Sequence, residues 1–83
     1  MMKEIAVPID QIYVPAARRG SVDSKKVEEI AESILEIGQQ EAISVRKDAK
    51  RGYVLIAGLH RLEACKMLGE KTISAIIAGT PQR

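Results

Sequence analysis

Four consecutive residues, Gly58-Leu59-His60-Arg61, hold the densest chemistry in this chain of 83 residues. An apolar run, Tyr53-Val54-Leu55-Ile56, leads into them, and a helical pattern, Leu62-Glu63-Ala64-Cys65, leads out. A strand that turns sharply into a helix leaves the first N–H groups of the helix unpaired. With the positive end of the helix dipole, those donors form a seat for an anion. Gly58 permits the tight turn and the close approach of a ligand. Arg61 offers a planar fork that matches a phosphate, and His60 stands beside it. The chemistry indicated is phosphate or nucleotide binding. A plain corner, in which Gly58 ends a strand and His60 decorates a helix, fits the same four residues. Further back, Lys26, Ile30, Ser33 and Ile37 line one edge of a helical pattern, so Lys26 and Ser33 could face a common ligand. Spacing alone favours a snorkelling lysine and a serine bonded to its own helix.

Other chemistries find too few residues. One Cys and one His cannot build a zinc site, and no metal site is expected. Cys65 and His60 are five residues apart on one helix, so they point about 140° away from each other and cannot form a nucleophile–base pair. Cys65 itself lies in the helix body at a core-facing spacing and reads as a small core residue. A glycine-rich loop ending in Gly-Lys-Ser/Thr does not occur. A single cysteine excludes an internal disulfide and fits a reducing compartment. No apolar run reaches membrane-spanning length and no secretory leader is visible, so the expectation is a soluble cytoplasmic protein. A net charge of +2 does not by itself imply a nucleic-acid partner.

The elements that must position these residues follow from patterning. With no Phe or Trp, and Tyr13 and Tyr53 as the only aromatics, the core must be aliphatic. A first strand should end near Val7, because Pro8 lacks the N–H that a central strand needs. Asp10-Gln11-Ile12 reads as a turn or a brief 3₁₀ segment. Val14 to Ser21 reads as a loop by its Pro, Gly and Ser. Asp23 or Ser24 can cap a helix that runs to about Ile37 and stops at Gly38. Val27, Ile30, Ala31, Ile34 and Leu35 define its buried face, and Glu28, Glu29, Glu32 and Glu36 its solvated one. Gln39-Gln40-Glu41 is a polar connector. Ala42–Arg46 and Tyr53–Ile56 should form an antiparallel hairpin around the turn 47–52. A second helix runs from Leu59 or His60 to Leu68, buries Leu62, Cys65 and Leu68, and stops at Gly69. Thr72–Ala78 is a final strand, and 79–83 a polar tail that frays. Two helices separated by a hairpin are not a helix-turn-helix. Arg18 and Arg19 in the loop, and Arg46, Lys47, Lys50 and Arg51 at the hairpin tip, are weaker candidates for nucleic-acid contact.

From about Ile5 to Ile77 the chain resembles the ParB N-terminal/sulfiredoxin superfamily. Residues 23–34 look like that family's first long helix. Gly38-Gln39-Gln40-Glu41-Ala42-Ile43-Ser44-Val45-Arg46 is similar to the first partition-protein box, Gly-x-x-Gln-Pro-Ile-x-Val-Arg, with Glu41 and Ala42 replacing Gln and Pro. Gly58-Leu59-His60-Arg61-Leu62-Glu63-Ala64 is similar to the second box, Gly-Glu-Arg-Arg-x-Arg-Ala, and to the sulfiredoxin signature Gly-Cys-His-Arg. Leu59 stands where sulfiredoxin carries its nucleophilic Cys, which argues against sulfinic acid reduction.

The resemblance implies one α+β domain: a small mixed sheet of about four strands with two helices. It also implies nucleotide binding, ATP or CTP with Mg²⁺, at Lys26, Ser33, Gly58, His60 and Arg61. In that reading Arg61 and the backbone at Gly58 hold phosphates, and His60 donates to a phosphate oxygen. Lys26 neutralises charge, and Ser33 positions a phosphate or a Mg²⁺-bound water. The expected role is in plasmid or chromosome partition or its regulation. Two other readings stay open. One is an ATP-dependent phosphotransferase or nucleotide hydrolase. The other is a DNA-binding or nuclease-like module working through Arg18, Arg19, Arg46, Lys47, Lys50 and Arg51, although no carboxylate cluster suited to a metal-dependent nuclease is visible. DNA could be reached directly or through a partner protein, since the partition proteins' helix-turn-helix lies beyond the matched segment. So small a domain could also gain stability as a homodimer.

Overall fold

The computed structural model describes residues 4–38 and 41–78. The chain runs β1 (Glu4–Pro8), a 3₁₀ turn (Ile9–Gln11), β2 (Ile12–Tyr13), α1 (Ala16–Arg19), α2 (Ser24–Ile37), β3 (Ile43–Asp48), β4 (Gly52–Ala57), α3 (Leu59–Met67) and β5 (Thr72–Ile77). The strands form one five-stranded mixed sheet in the order β1-β5-β3-β4-β2. β3 and β4 pair antiparallel, as the hairpin pattern indicates, and β5 returns to pair parallel with β3. The α+β expectation holds, with five strands and three helices in place of about four and two.

The additional elements are short ones. β2 has two residues, pairs parallel with β4 and closes that edge of the sheet. Two residues are too few to show an alternation of period two. α1 is a single turn within what the sequence presents as a loop. Its N-terminal neighbour Pro15 has the fixed φ that starts a helix well, and Gly20 ends it. Pro8 does belong to β1, but as its last residue on an edge strand, where no ladder donor is lost.

Three layers result. The sheet's inner face (Val7, Ile43, Val45, Leu55, Ile73 and Ala75) packs on Leu59, Leu62 and Cys65 of α3. The other side of α3 meets α2 through Val27, Ala31 and Ala64, with Ile30, Ile34 and Leu68 partly buried around them. α3 therefore lies between sheet and helix. That placement explains why Leu62 and Ala64, on different sides of α3, are both fully buried. Leu68 lies on the α2 side of α3, half-buried rather than in the main core. Leu35, assigned by periodicity to the buried face of α2, is 72% exposed. α2 meets a single neighbouring helix, so its covered stripe is narrower than the spacing rule assumes. The Gln39-Gln40 part of the connector and the expected fraying of 79–83 lie outside the described residues. Among those described, no helix is long and apolar enough to cross a membrane.

Candidate functional site

The two long helices begin differently. Asp23 caps α2, its Oδ1 accepting from the N–H groups of Lys25 (3.0 Å) and Lys26 (3.4 Å). The positive end of that helix already has its carboxylate. α3 begins on Gly58, which has no side chain to offer and sits at φ +103°. The first helical bond of α3 is Leu62 N–H to Gly58 O at 2.9 Å, so the amides of Leu59, His60 and Arg61 stand ahead of it. α3 is thus the helix whose start has no side-chain cap.

Gly58 is required here on two counts. Its φ lies in the left-handed region, and a Cβ would fall 2.6 Å from Ile43 Cγ2 and 3.2 Å from Ile43 Cα. The turn is pressed against the central strand β3, which fixes where the free amides point. Leu59, the next residue, is buried in the sheet–helix core at 7% exposure. The position that would carry a thiol in the sulfiredoxin pattern is occupied here by a core side chain. Cys65 is no substitute: burial first, then the Glu70 carboxylate, pushes its thiol above the usual cysteine range, and Arg61 only partly opposes this.

His60 and Arg61 point to different neighbours. His60 Nε2 accepts a hydrogen bond from the backbone N–H of Asp23 at 3.0 Å. An accepting Nε2 places the ring proton of the neutral imidazole on Nδ1, the one nitrogen left to donate to a ligand. The same bond pins the capping residue of α2 to the first turn of α3, so Lys26 starts from a helix turn anchored at the site. Lys26 is exposed and Ser33, two turns on, is half-buried. Both lie on the edge of α2 that the sequence pattern indicates. Arg61 has a side chain 20% exposed, with Nη2 4.0 Å from Glu41 Oε1.

Of the weaker candidates on α1 and at the hairpin tip, Arg19 comes close to this site, lining a pocket with Val22, Leu59 and Glu63. Arg19 Nε donates to Val14 O at 3.0 Å, and its guanidinium lies 5.6 Å from the centre of the Tyr13 ring. Arg51 lies 4.1 Å over the same ring. Arg46 approaches Asp48 at 4.0 Å, while Arg18, Lys47 and Lys50 are exposed. Hydrogen bonds from the Lys50 and Arg51 amides to Asp48 hold its carboxyl below the usual range, and Arg46 adds to the effect.

Two partners escape sequence reasoning. Asp23 is legible as a cap but not as the anchor of His60, and a bond across 37 residues leaves no local signal. Glu41 is visible as a replacement in the first box, but nothing in the sequence pairs it with Arg61. A carboxylate beside Arg61 would compete with a phosphate brought to that guanidinium. Glu41→Gln is expected to tighten nucleotide binding about 2- to 5-fold, since an exposed pair at this distance is worth at most about 1 kcal/mol. Titration of both proteins with the same nucleotide checks this, and unchanged or weaker binding would contradict it.

The comparisons with known proteins agree with this architecture. The family model described as "ParB N-terminal domain" matches residues 2–83. The probable chromosome-partitioning protein ParB of Campylobacter jejuni is 42% identical over 73 residues, covering 87% of this chain and 26% of that protein. The chain thus spans about a quarter of that relative's length. The crystal structure of sulfiredoxin from Arabidopsis thaliana superposes with a TM-score of 0.81 at 35% identity, over 94% of this chain and 86% of that one. A C-terminally truncated ParB from Caulobacter crescentus, in complex with CTP-γ-S, shares the fold with a TM-score of 0.79 at 23% identity, over 96% of this chain and 46% of that one. With its sheet, its open Gly58 turn and the match along almost its whole length, the chain belongs to the ParB N-terminal domain family.

Proposed function

We propose that this chain is a cytoplasmic nucleotide-binding module of the partition-protein type, acting in plasmid or chromosome maintenance or its regulation. The observation that carries the reading is the uncapped start of α3 on Gly58, with the amides of Leu59, His60 and Arg61 ahead of the first helical bond. Phosphates of ATP or CTP would take those amides and the Arg61 fork. His60 would donate from Nδ1, and Lys26 would neutralise charge from the anchored first turn of α2. Ser33 is the hydroxyl further along that edge. Among the described residues no group of three or more His, Cys, Asp or Glu gathers, so Mg²⁺ would be held mainly by the nucleotide's own oxygens and by water. A relative of the same fold in complex with CTP-γ-S supports the nucleotide class.

Binding without covalent thiol chemistry is the reading this geometry supports, because the two positions where a thiol nucleophile would be sought, Leu59 and Cys65, are both in the core. Melting the protein with ATP, CTP and GTP, with and without Mg²⁺, tests the proposal. A ligand at a hundred times its Kd adds about 2.7 kcal/mol, which in a domain of this size raises Tm by roughly 10 °C or more. No shift with any of them would overturn it.

A further inference from the structure

We infer that the His60–Asp23 hydrogen bond is a proton-operated clasp between the starts of α2 and α3. Neutral His60 holds it shut; protonation opens it and frees the imidazolium for an anion at the α3 start. The clasp stands on its own geometry, while its effect on a ligand rests on the nucleotide-binding reading above.

The cap of α2 leaves one donor to be met. In a capping box the N–H of the capping residue is taken by a Glu or Gln three residues on. Three residues after Asp23 stands Lys26, whose ammonium has no lone pair to accept with. The acceptor comes instead from the other helix, as His60 Nε2 at 3.0 Å, 37 residues away. Burial does not fix the chain here. Residues 16–26 are exposed throughout, and α2 first becomes buried at Val27, a turn beyond its cap. From there on Val27, Ala31 and Ala64 join the two helices by packing. The clasp therefore governs the turn of α2 that apolar contact does not reach, and that turn carries Lys26.

Protonation and this bond exclude each other. Neutral imidazole has one donor and one acceptor, whereas the imidazolium has two donors and no acceptor. A proton on Nε2 would face the Asp23 N–H across 3.0 Å, donor against donor. Histidine is the side chain that ordinarily changes charge between about pH 5 and 8. The charged groups bordering the ring come from four elements. The start of α2 brings Lys25, Lys26 and Asp23, whose Oδ1 is taken by the Lys25 and Lys26 amides. α3 brings Arg61 and Glu63, the latter paired with Lys66 at 3.4 Å. The connector before β3 brings Glu41, 4.0 Å from Arg61, and α1 brings Arg19, which lines a pocket with Leu59 and Glu63. Among the described residues no carboxylate lies within 4.0 Å of the His60 ring, so no ion pair holds the charged ring where the neutral one sits.

A released imidazolium is already beside the α3 start. His60 is the second residue of that helix, and its amide and those of Leu59 and Arg61 stand ahead of the first helical bond. A phosphate there gains a charge-assisted bond, roughly twice as strong as a neutral one. Anion and Asp23 N–H thus compete for one side chain in opposite protonation states, and lowering the pH moves His60 from Asp23 to the anion.

Ring and amide ¹⁵N–¹H spectra of the ligand-free protein between about pH 8 and 5.5, above the ordinary carboxylate range, test the clasp. At the upper end His60 should carry its proton on Nδ1. As the ring titrates, the Asp23 amide proton should move upfield with the same midpoint, and its protection against hydrogen exchange should fall about 5- to 10-fold. In His60→Gln, whose amide oxygen accepts at every pH, the Asp23 amide should stay in place. Affinity for CTP with Mg²⁺ should rise about 3- to 10-fold more between pH 7.5 and 5.5 in the wild type than in His60→Gln. An Asp23 amide indifferent to the ring's titration, a proton on Nε2 at pH 8, or a ring still neutral at pH 5.5 would each overturn the clasp. The same pH dependence of CTP affinity in both proteins would overturn its effect on the ligand. The amide readout uses no nucleotide, so failure of the nucleotide reading shows as absent binding in both proteins and not as a failed clasp.

Discussion

Gly58→Ala is expected to lower stability by about 2–4 kcal/mol and Tm by roughly 10–20 °C. Two penalties combine. An alanine held at φ +103° carries about 1 kcal/mol or more of backbone strain. Its Cβ must also find room where Ile43 Cγ2 is 2.6 Å away and Ile43 Cβ 2.9 Å away. Overpacking of a rigid site costs about 1–3 kcal/mol, and this site is rigid. Ile43 is 1% exposed and paired to Ala75 in a strand with neighbours on both sides, so it has nowhere to retreat. Gly69→Ala is the internal control. Gly69 has φ +77°, but a Cβ there would meet no atom within 4 Å, so only the strain remains, about 1 kcal/mol. Thermal melts of the two variants compare the costs directly, and equal costs would remove the Ile43 contact from the explanation. Because the amides of Leu59, His60 and Arg61 follow the same turn, Gly58→Ala should also weaken nucleotide binding well below its own Tm.

Arg61→Ala is expected to weaken nucleotide binding about 10- to 150-fold and to leave the fold nearly as stable as before. A hydrogen bond to a charged group is worth about 1.5–3 kcal/mol, and every 1.4 kcal/mol is a factor of ten in affinity. Within the protein, the ion pair that Arg61 makes is to the largely exposed Glu41 at 4.0 Å. Such a pair contributes about 0–1 kcal/mol, so little stability is lost with it. Arg61→Lys should fall between the two, because it keeps the charge and loses the planar fork. Calorimetric titration against nucleotide, with a melt of each ligand-free variant, separates binding from folding. Wild-type affinity in Arg61→Ala would place the phosphates elsewhere.

Most of the fold is readable because its large elements obey strong local rules. The Asp23 cap, the 3.6-residue stripe of α2, the hairpin around 47–52 and the strand–Gly–helix corner at Gly58 each have a signal confined to a few neighbouring residues. β2 and α1 are not readable, since two residues of strand and one turn of helix exist only through what they pack against. Leu35 shows the same limit from the other direction. Periodicity says which residues share a face, but only the single partner helix decides how wide a stripe is covered.

For the site, residue types point to the Gly58–Arg61 turn without any geometry. What the sequence withholds is pairing across distance. His60 is tied to Asp23, Arg61 faces Glu41, and Arg19 and Arg51 meet on Tyr13. These contacts change roles as well as positions. His60 is half committed to holding α2 in place, and Arg19 of α1 and Arg51 of the hairpin share the Tyr13 ring rather than standing in two separate clusters.

The central claim is that an anion sits on the start of α3, and the backbone amides there report on it directly. In a ¹⁵N–¹H correlation spectrum titrated with CTP or ATP and Mg²⁺, the largest shifts should fall on Gly58, Leu59, His60 and Arg61, with smaller ones at Lys26 and Ser33. Those amides staying in place while shifts cluster around Tyr13 and Arg51, or anywhere else, would contradict the account.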